Sequence, residues 1–563
     1  MYWKVGVMKD KKYFNIVFFV ILSIIALGLR LMYINDSLWY DEACSWFIAK
    51  GHIMSNLLHL DLQHTPLYFF LLHFWMKIFG TGELQMRILS LIFGLASIPL
   101  VYITTKKIFG HIQACFACAA VALSPLMIIF SVEVRMYSMA IFLVLLSLNY
   151  LIDFEQKNDK KSLIKLVLTD ILLPYTFVGG ILYNFSLVLC YGLYLCRNNR
   201  DKYIQYIKAA KIEWFCLIPY FCLIIYYAHI RKIFVVAHES ELQFYHLLDV
   251  LKNFFAMSPD VNIYWPSNGV YTLTFVFAAF CVVPCVYFVY GLIQGLLNSE
   301  KFNKVLYKIF IINFLFAALV ANFQVNVFTV RYILYLLPPF LILGIAGLFS
   351  RLSDKHCKAF LSIFIVGIAV FSFNNSINFS NLKTLAFKSV RLEADKLKLT
   401  SDDVVLMPFG SDAPYYFRDL TSPRVLEFDF HKLVRNPYND AYYDKDQQEK
   451  MAGKQKYLTV HDSLLKDRVF SDAFYNYFGA SVNASVPKGR YVLLVLYAED
   501  AGSIVNIEEL RKSVSGVKDV KDRFLEIMLK KFMCDTVAML NLDFDFVKMY
   551  SNGGYTFLLY QKR

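Results

Sequence analysis

A chain of 563 residues with 58% hydrophobic and only 18% charged residues is too apolar for a soluble protein, which carries about a quarter charged residues. Its formal charge is +13, from 57 Lys and Arg against 44 Asp and Glu. The positive residues sit in short stretches between apolar runs rather than in one patch, which excludes nucleic acid as a partner and fits Lys and Arg retained on the cytoplasmic side of a membrane.

A bilayer core of about 30 Å needs roughly 20 helical residues to cross it. Apolar runs of that kind, such as 14–29 and 336–349, recur to about residue 375 and then stop. Lys4, Lys9, Lys11 and Lys12 precede the first run and put the N-terminus inside. Span one covers 14–34 and is long enough to stay as an anchor rather than a cleaved signal. Residues 35–85 follow outside, and span two, 86–103, ends inside at Lys106 and Lys107. Span three, 113–130, leads to a short outer turn at 131–137, and span four returns to Lys157, Lys160 and Lys161.

Further inner loops carry Arg197, Arg200, Lys202, Lys208 and Lys211, then Lys301, Lys304 and Lys308, then Arg351, Lys355 and Lys358. Outer stretches fall at 175–180, 230–268, 322–331 and after 375. The alternation predicts about eleven spans in an inner or plasma membrane, with the C-terminal region outside. In the first outer loop, Trp46, Phe47, Ile53, Met54, Leu57 and Leu58 recur at helical spacing, and so do Leu67, Phe70, Leu71, Phe74, Ile78 and Phe79. Both stretches are short and carry polar faces, so they read as helices lying in the interface.

The membrane part therefore covers 1–380, and 381–563 reads as a soluble extracytoplasmic α/β domain. Residues 404–408, 424–428 and 491–497 have strand composition, and 507–514 and 520–531 have helical composition. Ser551-Asn552-Gly553-Gly554 between two alternating runs is a hairpin signal. No Gly-rich dinucleotide fingerprint, P-loop or metal-spaced His cluster occurs there. The 11 cysteines fall mostly within apolar runs, and only Cys534 follows residue 380, so no disulfide framework is expected. Cys115 and Cys118 form a CxxC inside a membrane helix and read as buried thiols rather than metal ligands.

The chemistry-bearing residues cluster at the outer ends of the spans. Asp41-Glu42 follows span one beside Trp39 and Tyr40. A partly desolvated carboxylate at this boundary can take a proton from a hydroxyl, and the alternative is that both acids simply favour the positive end of a helix. Glu133, Arg135 and Tyr137 share one side of the outer turn if it is extended, or else they only terminate two helices. Arg87 opens span two and Arg331 opens span ten, against the inside bias of basic residues. A guanidinium there can hold a phosphate bidentately or snorkel to headgroups. Asp170 lies within the apolar run 166–173, as a proton-relay group or as hydrogen-bonded packing.

Residues 30–155 resemble the GT-C glycosyltransferases related to protein O-mannosyltransferases and lipid A aminoarabinose transferases. The matching pieces are Asp41-Glu42, His64-Thr65-Pro66-Leu67-Tyr68, Met86-Arg87-Ile88-Leu89-Ser90 leading to Lys107-Ile108-Phe109-Gly110, and Leu123-Ser124-Pro125 followed by 131–137. Arg331-Tyr332 leading into Leu336-Leu337-Pro338-Pro339 is a later match. Relatives often have His-Pro-Pro where Thr65 stands, and Gln at the place of Val132. The resemblance implies a sugar on a polyprenyl phosphate, transferred outside with inversion to a lipid, glycan or protein hydroxyl. It implies Asp41 as general base with Glu42 beside it, Arg87 and Arg331 on the departing phosphate, and His64, Glu133, Arg135 and Tyr137 orienting sugar or acceptor. Some relatives use a divalent metal between two acidic loops, and Glu42 with Glu133 are the oxygen ligands available here. The branch resembled most closely works without one, so no cofactor is expected. A transporter of lipid or sugar, or a membrane scaffold, are the competing readings.

Overall fold

The computed structural model describes residues 2–34, 37–51, 65–222, 225, 271–321, 330–383, 387–408, 423–428, 480–497, 536–552 and 555–563. His64, the outer stretch at 230–268 and the helices expected at 507–514 and 520–531 lie outside the described residues. The chain divides into two compact units: 1–36 with 45–382, and 37–44 with 383–563.

The first unit is helical. Its elements in chain order are α1 (Tyr2–Leu31), α2 (Tyr40–Lys50, whose first turn belongs to the other unit), α3 (Pro66–Phe79), α4 (Glu83–Phe109), α5 (His111–Leu123) and α6 (Pro125–Phe130). There follow α7 (Tyr137–Lys157), α8 (Lys160–Thr176), α9 (Gly179–Asn198), α10 (Arg200–Cys216), α11 (Tyr271–Asn298), α12 (Lys301–Ala321), α13 (Val330–Ile333), α14 (Leu337–Phe349) and α15 (Asp354–Lys383). Among the described residues, six helices are long and apolar enough to cross a membrane, and 16–31, 66–79, 111–123 and 282–298 are shorter apolar helices. The protein is an integral membrane protein.

One expected span is broken. The apolar run over 113–130 divides at Ser124, because Pro125 has no N–H and holds the residue before it extended. Ser124 caps the new helix through its Oγ, which accepts from the Met127 N–H at 3.4 Å. Carbonyls stranded by the break find side chains instead. The Ala122 carbonyl accepts from Arg30 and the Leu123 carbonyl from the Ser372 hydroxyl of α15. The basic stretch expected as a loop at 197–211 is also more ordered than predicted, since Arg200 to Lys211 lie in α10, capped by Asn199.

At the opposite ends of the helices, charge is paired. Asp153 of α7 takes Lys107 and Lys157, each at 2.9 Å, and Lys107 also donates to Asn149 at 2.8 Å. Two residues on, Glu155 takes Lys202 of α10 at 2.7 Å and accepts from the hydroxyls of Tyr191 and Tyr194. Four helices are thereby tied at one end, three by hydrogen-bonded ion pairs and α9 through the two tyrosine hydroxyls.

α11 and α14 meet through glycine. A Cβ built at Gly347 would fall 1.7 Å from the Gly291 carbonyl oxygen, and one at Gly291 would fall 2.3 Å from that of Gly344. The backbones touch there, as small residues permit between membrane helices.

The second unit contains α16 (Phe387–Lys396), β1 (Val404–Pro408), β2 (Arg424–Phe428), α17 (Ala480–Ser485), β3 (Tyr491–Tyr497), β4 (Phe544–Asn552) and β5 (Tyr555–Lys562). The strands form one sheet in the order β2-β1-β3-β5-β4. β1 lies parallel to both β2 and β3, and β3-β5-β4 is antiparallel. The expected hairpin is present, with Asn552 paired to Tyr555. Val390 and Ala394 of α16 cover one sheet face, packing on Val405, Leu493, Val495, Phe557 and Leu559.

Candidate functional site

Asp41 and Glu42 occupy the first turn of α2, where negative charge is favoured by the helix dipole. They are not equivalent. Glu42 is fully buried, and its Oε2 accepts from the Trp39 N–H at 3.3 Å. Trp39 precedes the helix and Glu42 is its third residue, so this is the returning half of a capping box. Asp41 is half-buried and keeps access to solvent. The bland alternative, helix support, thus describes Glu42 better than its neighbour.

In the helical unit the turn at 131–136 is compact rather than extended, with the Arg135 N–H donating to the Glu133 carbonyl at 2.8 Å. The alternation that was to place Glu133, Arg135 and Tyr137 on one side does not apply. All three are buried, and the Arg135 guanidinium sits 5.9 Å from the centre of the Tyr137 ring. Two helices brace this turn. Ser90 of α4 donates to the Arg135 carbonyl at 3.3 Å and shares a 2.7 Å hydrogen bond with the Tyr68 hydroxyl of α3. Ser131 packs against Gly94 of α4, where a Cβ would come within 2.2 Å of the serine Cβ.

Arg30 of α1 was not singled out in the sequence, yet it is wholly buried against the same turn. Its Nε donates to Ser131 Oγ at 2.9 Å, and its Nη1 donates to the Ala26 and Ala122 carbonyls at 2.8 and 3.0 Å. An arginine at a helix end reads from sequence as a snorkelling charge, which hides this role.

Arg87 lies one turn before Ser90 and is also wholly buried. Its Nη1 donates to the Ile34 carbonyl at 3.0 Å and the Tyr33 carbonyl at 3.5 Å, at the end of the chain leaving α1. It is therefore not a surface arginine. Arg331 is half-buried in α13, its guanidinium 5.5 Å from the Tyr332 ring centre. Thr65, next to the expected His64, is buried and donates from Oγ1 to the Thr176 carbonyl at the end of α8.

Asp170 belongs to a separate group. It and Glu213 of α10 are both buried, and the Asn184 amide of α9 donates to the Asp170 carbonyl at 2.6 Å. Glu213 follows the basic stretch 197–211, and nothing local in the sequence pairs it with Asp170. A cavity lined by Thr104, Ile108, Phe109, Ile152 and Leu306 among others is apolar and lies by the Lys106 end of α4, the end away from Arg87. Among the described residues no group of three or more His, Cys, Asp or Glu could hold a metal.

Within the helical unit the structure thus holds a braced turn carrying Glu133 and Arg135, a buried Arg87 and a half-buried Arg331, and in the other unit a half-buried Asp41 beside the buried Glu42. Residues 63–191 match the family described as dolichyl-phosphate-mannose-protein mannosyltransferase. No curated protein matches the sequence significantly. Among solved structures, ArnT from Cupriavidus metallidurans in the apo state is similar with a TM-score of 0.54 and 12% identity, covering 98% of each chain. The same protein bound to undecaprenyl phosphate gives 0.50 and 12%, covering 96% of this chain and 97% of that one. The apo oligosaccharyltransferase of Archaeoglobus fulgidus gives 0.47 and 12%, over 86% and 70%.

Proposed function

We propose that this chain, an integral-membrane glycosyltransferase of the GT-C type, moves a sugar with inversion from a polyprenyl-phosphate donor to an acceptor hydroxyl on the outer face of the membrane. The observation that carries the reading is the division within Asp41-Glu42. Glu42 is consumed by the start of α2, while Asp41 stays half-buried with a carboxylate able to take a proton. The similarity to a structure with bound undecaprenyl phosphate supports a lipid-phosphate donor.

In this reaction Asp41 removes the acceptor hydroxyl proton as that oxygen bonds to the anomeric carbon. The bond from that carbon to the phosphate oxygen breaks, and polyprenyl phosphate leaves with its negative charge. Arg87 and Arg331 stabilise that charge, where transition-state stabilisation counts most. His64, Glu133, Arg135 and Tyr137 orient sugar and acceptor, and no step needs a metal. Residues 1–380 form the transferase part and 381–563 an outer-face domain.

The test uses membranes containing the full chain and radiolabelled polyprenyl-phosphate mannose. Transfer of label to an endogenous acceptor that disappears in Asp41→Asn is the expected result. Label that crosses the membrane without being transferred would favour transport instead, a reading whose one support is the buried Asp170 and Glu213 pair.

A further inference from the structure

We infer that Arg30 is the positioning residue that sets the 131–136 turn, and with it Glu133 and Arg135, in register for transfer; the catalytic half of this inference rests on the function proposed above. Arg30 is 0% exposed, and its Nε and Nη1 are taken up by the protein's own groups. Its three hydrogen bonds join three separate pieces of backbone: its own helix at Ala26, the broken end of α5 at Ala122, and the head of the turn at Ser131. Ser131 passes the restraint on, since its Oγ donates to the Ile128 carbonyl at 2.8 Å while accepting from Arg30.

The guanidinium explains why an arginine is required. Its hydrogen-bond acceptors among the described residues are two carbonyls and a hydroxyl, and the Ala122 carbonyl belongs to the last turn of a helix, the negative end of its dipole. No carboxylate is among these acceptors, and the one helix end that meets the charge is that of α5. A planar fork can serve Nε and Nη1 acceptors in fixed directions together, whereas a lysine ammonium at the same place is a single point. Without the fork, Ser131 keeps its Gly94 contact and its Ile128 bond but loses its tie to α1 and, through Arg30, to the end of α5.

The experiment compares full-length wild type with Arg30→Lys, Ser131→Ala and a control, Ser97→Ala, all in detergent. Ser97 is equally buried on α4 but donates only to the Phe93 carbonyl of its own helix. Two readouts are taken: amide hydrogen exchange over 131–136, and turnover per folded enzyme with radiolabelled undecaprenyl-phosphate mannose. In Arg30→Lys and Ser131→Ala, exchange in the turn should rise at least about tenfold while α7 stays protected. Turnover should fall by roughly 10–100-fold with the donor KM within about twofold, because misplacement by about 1 Å is costly to chemistry rather than to binding. Ser97→Ala should match wild type in both. Unchanged exchange in the two variants overturns the inference, as does faster exchange with normal turnover. A raised KM at unchanged kcat also overturns it, since Arg30 would then act on the donor. If wild type transfers no label, the proposed function fails with that donor, while the exchange arm still decides whether Arg30 holds the turn.

Discussion

Exchanging the two neighbouring carboxylates one at a time separates chemistry from helix support. In Glu42→Gln the capping geometry survives, because a glutamine oxygen can still accept from the Trp39 N–H. At the helix start this costs the ionic part of the Trp39 bond and a negative charge, together about 1–1.5 kcal/mol. Asp41→Asn loses a similar dipole contribution of about 0.3–1 kcal/mol, so the two proteins should denature within a few degrees of one another. Turnover should diverge. Removing a general base costs about 10²–10⁴ in rate, or about 2.7–5.5 kcal/mol of barrier, and Asp41→Asn should show that loss while Glu42→Gln stays within roughly tenfold of wild type. Label transfer at saturating donor, normalised to folded enzyme, measures both. Normal turnover in Asp41→Asn with loss in Glu42→Gln would pass the role to Glu42, and normal turnover in both would remove this loop from the mechanism.

Arg331→Lys should lower transfer with little effect on stability, since the side chain is half-buried, whereas Arg87→Lys should lower both because it also releases the Tyr33 and Ile34 carbonyls. Wild-type transfer in both variants would refute phosphate stabilisation by these residues. Cysteines placed at Ser55 and at exposed Ala484 should both react with an impermeant reagent on intact cells, and labelling at only one would break the outer-face topology. Gly347→Ala should sharply reduce the yield of folded protein by driving a methyl into the Gly291 carbonyl, while Gly192→Ala, with 3.7 Å to its nearest neighbour, should be harmless or slightly stabilising. In the sheet unit, burial and the Glu393 carboxylate, which accepts from the hydroxyl at 3.2 Å, push Tyr550 up to about 12. The folded state therefore favours the neutral phenol. Its contribution is intact below about pH 10 and lost as pH rises through about 12, and Tyr550→Phe should flatten alkaline denaturation across that window.

The parts of this molecule that were legible in its sequence are those with a local pattern. Val404–Pro408, Arg424–Phe428 and Tyr491–Tyr497 could be read as strands because five to seven apolar or β-favouring residues end in turn signals, and the hairpin because Gly553-Gly554 separates two alternating runs. The break at Ser124 was also written locally, as a capping serine before a proline, but continuous hydropathy over 113–130 outweighed it. Helix support by Asp41 and Glu42 was legible, but which of the two takes it was not, because Trp39 stands where a capping box has serine or threonine. Arg30 and Glu213 could not be found this way at all. The partners of Arg30 at Ala122 and Ser131 are about a hundred residues away, and no periodicity encodes a contact made by tertiary packing.

The glycine seam between α11 and α14 has a consequence for how the protein is made. Gly291 leaves the ribosome well before Gly344 and Gly347, with α12 and α13 translated between them. At about 5–20 residues per second, α11 must sit in the bilayer for several seconds before its mate arrives. During that interval its glycine face has no α14 to meet, and any other small-residue helix in the membrane is a rival for it. Backbone-to-backbone fit then sorts the rivals, because only a helix with glycines in the matching register can approach as closely as α14 does. Correct pairing of α11 therefore waits on α14, and a slower or paused translation of 299–336 should raise the fraction of chains in which α11 is captured by the wrong neighbour.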